Sequence, residues 1–491
     1  MGSSDIEGSG KVLLVLFILL LLCLSQRLRG AVPRKPSELD SIGRGYEKFG
    51  KHRAWSASRP GFDYTVLPKH MLYPLRNDSR LDFRSVAEFH MQARYTNSHQ
   101  NPQFVKSIHM DLNKNLGSLC PRIIEEAQAG LAAELALGDG QERDWRAKHP
   151  KEIALRLTAR IISRLTVGDR IEITDQWLDR LIQYPSNIFV GGVKVLQWPA
   201  LLRPIAQYFI PEFRRIRETR QHVLELLAPV YQEARKEQQG SGPRSIPGCL
   251  NSETLMSWIW RNSRDQDRSD AFQTQMVLFT TLPALYTTAL GTAQAIIDLA
   301  SFSDYLPMIR EEFESALKEC DGALTREAID KMEKLDSFIK ESQRLNPLSL
   351  VAFERKIKSP FTLDDGTPLR KGSFIAAPAY HLGMDPELYK SPDQFDGLRF
   401  SKLRGECKIE DDTQFRYESL NESHIHFGIG RHACPGRFFA GVWTKLVLGF
   451  IALNYDIALP NASQGRPASC IINTFLEVPQ STRVLVRERS T

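Results

Sequence analysis

One glycine-rich loop around a single cysteine constrains the fold more than any other stretch of this 491-residue chain. Its fixed points are residues that permit tight turns or present a ring, a cation or a thiol: Phe427, Gly428, Gly430, Arg431, Cys434 and Gly436. An apolar run with helical spacing follows at 442–453, and Pro435 suits the first position of that helix. Cys434 is then expected at the helix N-terminus, where free N–H groups and the helix dipole lower the pKa of a thiol. The pattern predicts an exposed thiolate on a rigid loop, suited to holding a metal from one side beside a large flat group.

The residues leave two other interpretations of this cysteine open. A free cysteine is most often an ordinary buried side chain. Zinc is the second alternative, because His424, His426, His432 and Cys434 are tetrahedral-type ligands at short spacing. Neither alternative explains the glycines, and the six fixed residues coincide by chance in roughly one chain in 10^5 of this length.

At these residues the sequence resembles the cytochrome P450 family, whose cysteine-loop signature reads Phe-x-x-Gly-x-x-x-Cys-x-Gly, and in particular its fungal microsomal members of secondary metabolism. The resemblance implies haem b with the Cys434 thiolate as the proximal iron ligand, which promotes cleavage of the O–O bond. It implies that Phe427, Gly428, Gly430 and Gly436 cradle this cofactor and that His432 contacts a haem propionate. The implied fold is mainly α-helical with a minor β-sheet, as one large catalytic domain.

The N-terminus predicts a membrane anchor. Residues 12–24 are an unbroken apolar run, and a transmembrane helix needs about 20 residues. Basic residues follow the run, so the positive-inside rule places the rest of the chain in the cytosol. We expect a single-pass signal-anchor in the endoplasmic reticulum membrane (1–26), a basic, proline-containing linker (27–40) and a cytosolic catalytic domain (41–491). A cleaved secretory segment is the alternative.

Composition narrows the range of partners. Lys plus Arg number 64 against 58 Asp plus Glu, so the net charge of +6 is too small and dispersed for nucleic-acid binding. The seven cysteines show no repeated spacing, which favours a reducing compartment over a disulfide scaffold. Hydrophobic residues make up 42% of the chain, which is ample for a large core.

A long run with few charges, 269–300, predicts a buried helix through the middle of the domain, kinked at Pro283. By resemblance, the segment from Pro283 to Thr288 is the distal oxygen-activation segment. Thr287, with Thr288 beside it, would then supply the hydroxyl that steadies dioxygen and relays protons. Tyr286 stands where the family has an acidic residue, so proton delivery is expected to run through water or another residue. The alternative is that these threonines only bond back to the preceding turn.

The pattern at 325–345 predicts a second helix, N-capped by Thr325. Glu341 and Arg344 lie three residues apart and share one face of it. On the surface such a pair would mean little. The resemblance makes the pair the family's Glu-x-x-Arg and adds Arg399, which together form a buried guanidinium–carboxylate network fixing the cysteine loop under the haem.

Two apolar stretches, 361–363 and 374–377, flank Asp364-Asp365-Gly366 and predict a pair of adjacent strands. By resemblance, Arg355, just before them, binds a haem propionate.

The predicted activity is monooxygenation of a small lipophilic substrate by O2, with electrons from NADPH through a membrane-bound NADPH–cytochrome P450 reductase. A fungal terpenoid or related secondary metabolite is the expected substrate. A basic face near Cys434, made of Arg431, Arg437 and Lys445, is expected to dock the reductase. Two alternatives stay open: a haem-thiolate isomerase or peroxygenase that needs no reductase, which the Tyr286 departure makes conceivable, and a non-catalytic zinc-binding membrane protein.

Overall fold

A computed structural model describes residues 38–59, 62–136, 144–239, 250, 253–264, 267–406, 412–472 and 474–489. These residues form a mainly helical domain with small sheets, which confirms the predicted fold class. The helices are α1 (Glu38–Phe49), α2 (Leu72–Leu75), α3 (Arg84–His90), α4 (Ala93–Thr96), α5 (Pro102–Lys106), α6 (Leu116–Leu135), α7 (Pro150–Val167), α8 (Asp175–Leu196), α9 (Arg203–Ala206), α10 (Pro211–Gln239), α11 (Leu255–Asn262), α12 (Asp270–Ser301), α13 (Leu306–Glu319), α14 (Arg326–Asp330), α15 (Glu333–Leu345), α16 (Ala379–Gly383), α17 (Arg399–Glu406) and α18 (Arg437–Asn454). Short 3-10 segments and one π-helical turn, Ser107–Leu112, connect them.

The strands are short and form four small sheets within the described residues. They are β1 (Trp55–Arg59), β2 (Phe62–Val66), β3 (Leu81–Asp82), β4 (Arg146–Lys148), β5 (Ala352–Ile357), β6 (Phe361–Thr362), β7 (Pro368–Leu369), β8 (Phe374–Ala377), β9 (Tyr455–Ala458), β10 (Cys470–Ile472), β11 (Phe475–Glu477) and β12 (Val484–Glu488). The largest sheet has the order β1-β2-β8-β5-β3, and a three-stranded sheet has the order β4-β12-β9. The strand pairs β10-β11 and β6-β7 complete the set.

The core is organised around α12, as the low charge of its sequence predicts. Ser269 caps this helix by accepting a hydrogen bond from the Phe272 N–H, and the helix continues through Pro283. It packs against α7, α8, α10, α15 and α18. Both α12 and α18 are long and apolar enough to span a membrane, but most of the apolar window in each is buried inside the protein. They are therefore core helices, and the predicted anchor, 1–26, lies outside the described residues, as does the predicted linker up to residue 37.

The second predicted helix is divided in two, so the prediction of one continuous helix over 325–345 was wrong. Thr325 does cap the first piece, α14, because its hydroxyl oxygen accepts from the Ala328 N–H at 3.3 Å. The backbone leaves the helical region at Met332, where ψ is 80°. The reason is non-local: the Glu312 carboxylate of α13 accepts from the N–H groups of residues 334 and 335 and starts α15 afresh.

The predicted pairing of 361–363 with 374–377 was also wrong, although strands form in both stretches. Strand β6 closes a hairpin with β7, in the register Phe361↔Leu369, around Gly366 at φ +83°. Strand β8 instead lies between β5, its antiparallel partner, and β2, its parallel partner, with Tyr64 opposite Phe374. The larger sheet therefore joins residues about three hundred positions apart, which no local pattern encodes.

Candidate functional site

The cysteine loop is held by its own backbone. The Cys434 N–H donates to the Phe427 carbonyl at 2.7 Å, and the Ala433 N–H donates to the Gly430 carbonyl at 3.0 Å. Gly428 and Gly430 lie in the left-handed region, with φ of +70° and +69°, which favours glycine. Helix α18 begins at Arg437 with Gly436 as its N-cap, two residues later than predicted. The prediction that Pro435 occupies the first helical position was therefore wrong, and Cys434 lies in the loop just before the helix.

The thiol of Cys434 is partly buried rather than exposed. Burial raises the pKa of Cys434, and backbone N–H groups of Gly436 and Arg437 together with the Arg437 guanidinium act against that rise. The expected lowering of the thiol pKa was wrong for the protein alone, because desolvation outweighs the donors at the helix start. The donors themselves are present, so a sulfur anion there would find hydrogen bonds.

A second loop of the chain fixes the cysteine loop from the side. The Arg431 N–H donates to Asn77 Oδ1 at 2.8 Å, and the Arg431 guanidinium donates to the carbonyls of Asp78 and Leu81 at 2.7 and 3.0 Å. A Cβ at Gly430 would lie 2.6 Å from the Arg76 carbonyl oxygen. The close approach of these two loops therefore requires glycine at position 430.

Asn113 makes a third anchor, from the segment that precedes α6. Its Nδ2 donates to the Pro435 carbonyl at 2.9 Å. The sequence reasoning missed this residue, and no local signal could have found it, because the partner lies 322 residues away.

Glu341, Arg344 and Arg399 come together in the interior, with Glu341 and Arg344 fully buried and Arg399 8% exposed. Arg344 donates to both carboxylate oxygens of Glu341, at 2.8 and 2.7 Å. The Arg399 Nε lies 3.0 and 3.1 Å from the same two oxygens, and the Asp396 N–H donates to Oε1 at 3.0 Å. A surface ion pair is therefore excluded for these residues.

The remaining donors of the two arginines bind a single loop. Arg344 Nη1 donates to the carbonyls of Gly383 and Pro392, at 2.5 and 2.7 Å. Arg399 donates to the carbonyls of Lys390, Ser391 and Gln394. Arg344 Nη2 also donates to the Gln394 carbonyl at 3.3 Å, so six hydrogen bonds fix 383–394 onto α15 and α17.

Arg355 and His432 lie together beside the cysteine loop. Arg355, in β5, is 2% exposed, and its Nη2 has no hydrogen-bond partner among the described residues. Burial, and then the nearby charge of Arg431, lowers the pKa of Arg355 to about 10. His432 accepts from Arg431 Nε at 3.1 Å, and burial followed by Arg355 lowers the pKa of His432 to about 4. The Nη2 group of buried Arg355 therefore suits an anionic partner.

One face of the buried helix α12 opens to solvent halfway along its length. Pro283 and Thr287 are exposed there, Ala284 and Thr288 are partly exposed, and a Cβ at Gly291 would meet no atom within 4 Å. These positions recur at helical spacing and so share one face. The Thr287 hydroxyl donates to the Pro283 carbonyl at 2.7 Å, the bond back to the preceding turn that was the simpler alternative.

Tyr286 faces a different neighbour. Lys151, at the start of α7, lies over its ring at 5.6 Å and forms an ion pair with Glu477 of β11. Tyr286 thus packs against a lysine that already has a carboxylate partner.

The described residues contradict two expectations: zinc coordination by the histidines around Cys434, and Lys445 as part of the docking face. The described residues contain no group of three or more His, Cys, Asp and Glu side chains placed to hold a metal ion. His424 is 2% exposed, and its ring packs 4.4 Å from that of His426. Lys445 was wrongly predicted on the docking face, because it is 4% exposed and pairs with buried Asp336 at 2.7 Å.

Comparisons with known proteins point in one direction. The family profile described as Cytochrome P450 matches residues 90–485. Cytochrome P450 monooxygenase braC of Annulohypoxylon truncatum is 30% identical over 462 residues, which cover 93% of this chain and 89% of that protein. Cytochrome P450 monooxygenase BOA4 of Botryotinia fuckeliana is 31% identical, covering 80% and 77%, and paxP of Penicillium paxilli is 29% identical, covering 92% and 85%.

Proposed function

This chain belongs to the cytochrome P450 family of oxidoreductases, and we propose that it is a monooxygenase that inserts one oxygen atom of O2 into a small lipophilic substrate. The family carries haem b on a cysteine thiolate, and this group supplies the reductive splitting of dioxygen. The single observation that supports the proposal best is the loop of Cys434, whose sulfur faces N–H donors from Gly436 and Arg437.

The residues around this loop fit such a cofactor. Arg355 has a buried guanidinium nitrogen without a partner, which suits a propionate carboxylate. His432 stands beside it as the second propionate contact we propose. Gly436 presents open space, since a Cβ there would meet nothing within 4 Å. Phe427, Gly428 and Gly430 shape the loop, and Cys434 would bind the iron.

The network of Glu341, Arg344 and Arg399 is proposed to keep this loop in place from beneath. It fixes the segment 383–394, as described above, and it has no exposed face that could serve substrate. The network is therefore proposed to stabilise the fold around the cofactor site and not to contact the substrate.

Thr287 and Thr288 are proposed as the residues that position water and hold a proton on the distal side. Both lie on the open face of α12, and the Thr287 hydroxyl oxygen keeps acceptor capacity while its proton bonds to the Pro283 carbonyl. Tyr286 carries no carboxylate for proton delivery, so the path is proposed to run through water at this face.

Electrons are proposed to come from NADPH through NADPH–cytochrome P450 reductase, with both proteins anchored in the endoplasmic reticulum membrane. The segment that contacts Pro435 through Asn113 also carries the exposed cations Lys106 and Lys114. Together with exposed Arg431 they make a basic surface near the cysteine loop, suited to an acidic partner. Changing Lys106 and Lys114 to Gln should slow reduction at low salt and flatten its salt dependence. Lys236→Gln, at an exposed position of α10, is the control.

The substrate is proposed to be a fungal terpenoid or related secondary metabolite, on the grounds that the relatives named above are fungal proteins. Deleting the gene should cause this metabolite to accumulate. The purified metabolite, incubated with the full chain, reductase, NADPH and 18O2, should gain one 18O atom. Product that carries oxygen from water, or no product, would contradict the proposal.

A reductase-independent isomerase or peroxygenase is the second candidate, favoured by the Lys151–Tyr286 contact in place of a carboxylate. Product formed with peroxide, but none with NADPH and reductase, would select it.

A further inference from the structure

Helix α15 carries two parallel stripes of polar residues, and only one of them belongs to the network already described. Ser337, Glu341 and Arg344 make the first stripe at i, i+4 and i+7 spacing. Asp336, Lys340 and Gln343 make the second at the same spacing, one residue earlier. Residues at this spacing lie on one helix face, so the two stripes run side by side.

The first stripe holds the segment 383–401. Ser337 Oγ accepts from the N–H groups of Phe400 and Ser401, at 3.0 and 3.1 Å. Glu341 and Arg344 bind the rest of that segment as described above.

The second stripe holds a different segment, 414–424, which leads into the cysteine loop. Asp336 Oδ2 accepts from the Tyr417 N–H at 2.8 Å. Lys340 Nζ donates to the carbonyls of Gln414 and Arg416, at 3.1 and 2.7 Å, and to Ser419 Oγ at 2.7 Å. Gln343 lies 3.0 Å from His424 Nε2, and its Nε2 lies 3.4 Å from the Tyr417 hydroxyl.

Segment 414–424 in turn contacts the cysteine loop. The Tyr417 ring meets Phe427 edge-on, with centroids 5.2 Å apart. Arg437 joins the two directly, because its Nε donates to the Glu418 carbonyl at 3.1 Å and its Nη1 to the Cys434 carbonyl at 2.9 Å. A shift of this segment would therefore move the backbone on which Cys434 sits.

We propose that Asp336, Lys340 and Gln343 are positioning residues that form a second clamp, holding the cysteine loop through segment 414–424 independently of Glu341, Arg344 and Arg399. The proposal rests on the proposed role of Cys434 as the iron ligand.

Lys340 is the strongest element of this clamp. It is 1% exposed, and an isolated buried ammonium is costly unless hydrogen bonds compensate. Its three bonds go to the one segment, so they stabilise a single conformation of it. The charges that face Lys340 are Asp336 and Glu418, which raise its pKa, and Arg404, which lowers it. Burial is the largest effect and outweighs the two carboxylates, which brings the pKa of Lys340 to about 7. Because burying Lys340 is costly, its hydrogen bonds to segment 414–424 are the reason that a lysine stands at this position.

The test compares the haem-loaded full chain with Lys340→Met, Lys340→Gln and the exposed control Lys334→Met on the same helix. The first readout is hydrogen–deuterium exchange of the hydrogen-bonded amides of residues 416–424. Exchange in Lys340→Met should be at least about tenfold faster there and unchanged within 383–396. Lys340→Gln, which keeps a donor, should fall between Met and wild type, and Lys334→Met should match wild type.

The second readout is the reduced, CO-bound spectrum at equal haem content. A larger fraction of Lys340→Met should lack the red-shifted Soret band that marks a thiolate ligand. Wild-type exchange and an undiminished band in Lys340→Met would overturn the proposal, as would equally faster exchange in both segments. If Lys340→Met yields no folded protein, Gln343→Leu, which leaves the charge unchanged, tests the proposal by the same two measurements. If the wild-type protein itself lacked the band, the role of Cys434 as iron ligand would be refuted. The exchange comparison would then still test whether Asp336, Lys340 and Gln343 hold segment 414–424.

Discussion

Removing the Glu341 carboxylate should cost this protein its cofactor and much of its stability. Glu341→Ala deletes the acceptor for four arginine contacts and one backbone N–H. The two guanidinium groups then remain in the interior as like charges, because Arg344 is fully buried and Arg399 is 8% exposed.

The size of the loss follows from that burial. Breaking a buried ion pair by removing one partner costs about 3–5 kcal/mol. Domains are stable by only about 5–15 kcal/mol, so about a fifth or more of the stability would be lost. Glu341→Gln keeps the shape and one carbonyl acceptor, so it should be destabilised less, by about 1.5–3 kcal/mol for a lost charged hydrogen bond.

The assay measures haem content, the reduced CO spectrum and urea unfolding for each variant. Glu333→Ala is the matched control on the same helix, since Glu333 is 53% exposed and pairs with Arg404 at 3.3 Å. An exposed partner of this kind contributes about 0–1 kcal/mol. Glu341→Ala with full haem content and wild-type unfolding would refute the reasoning, because the network could not then be holding the loop.

Three further predictions concern single side chains. Arg355→Leu should keep or raise the stability of the cofactor-free protein, because the change removes an unpaired buried cation. The same variant should bind haem about 10–150-fold more weakly, since a charged hydrogen bond is lost. A variant that is less stable but unchanged in haem affinity would count against the propionate role. Gly430→Ala should destabilise the protein by about 1–3 kcal/mol or more in urea unfolding, because φ is left-handed there and a Cβ would lie 2.6 Å from the Arg76 carbonyl oxygen. The control Gly405→Ala should be neutral or stabilising, because a Cβ at Gly405 would meet nothing within 4 Å. Burial lowers the pKa of Lys340 from 10.5 to about 7, so between these values the unfolded chain binds more protons and the free energy of unfolding rises with pH. Wild type should therefore gain on Lys340→Met by up to about 1.4 kcal/mol per pH unit between pH 7 and 10, and a difference independent of pH would be the opposite result.

Local sequence patterns predicted the helices well where the residues of the helix itself determine its structure. The apolar run at 442–453 lies within α18, and the low-charge run at 269–300 matches α12 to within one residue at each end. The i, i+3 spacing of Glu341 and Arg344 also placed two partners of the buried network on one helix face. Their roles at the cofactor stay predictions.

The errors arose where a distant partner decides the local structure. The Glu312 carboxylate of another helix starts α15, and the parallel partner of β8 lies near residue 64. Lys445 looked like a surface charge until Asp336 was found beside it in the core. The burial of Lys340 also depends on distant partners, because its ammonium binds the carbonyls of Gln414 and Arg416.

The most direct measurement of the central claim is the reduced, CO-bound absorption spectrum of the purified full chain beside that of Cys434→Ala. The account predicts a red-shifted Soret band from the wild-type chain and none from the variant. A colourless wild-type protein after haem supplementation, or the same band from Cys434→Ala, would contradict it.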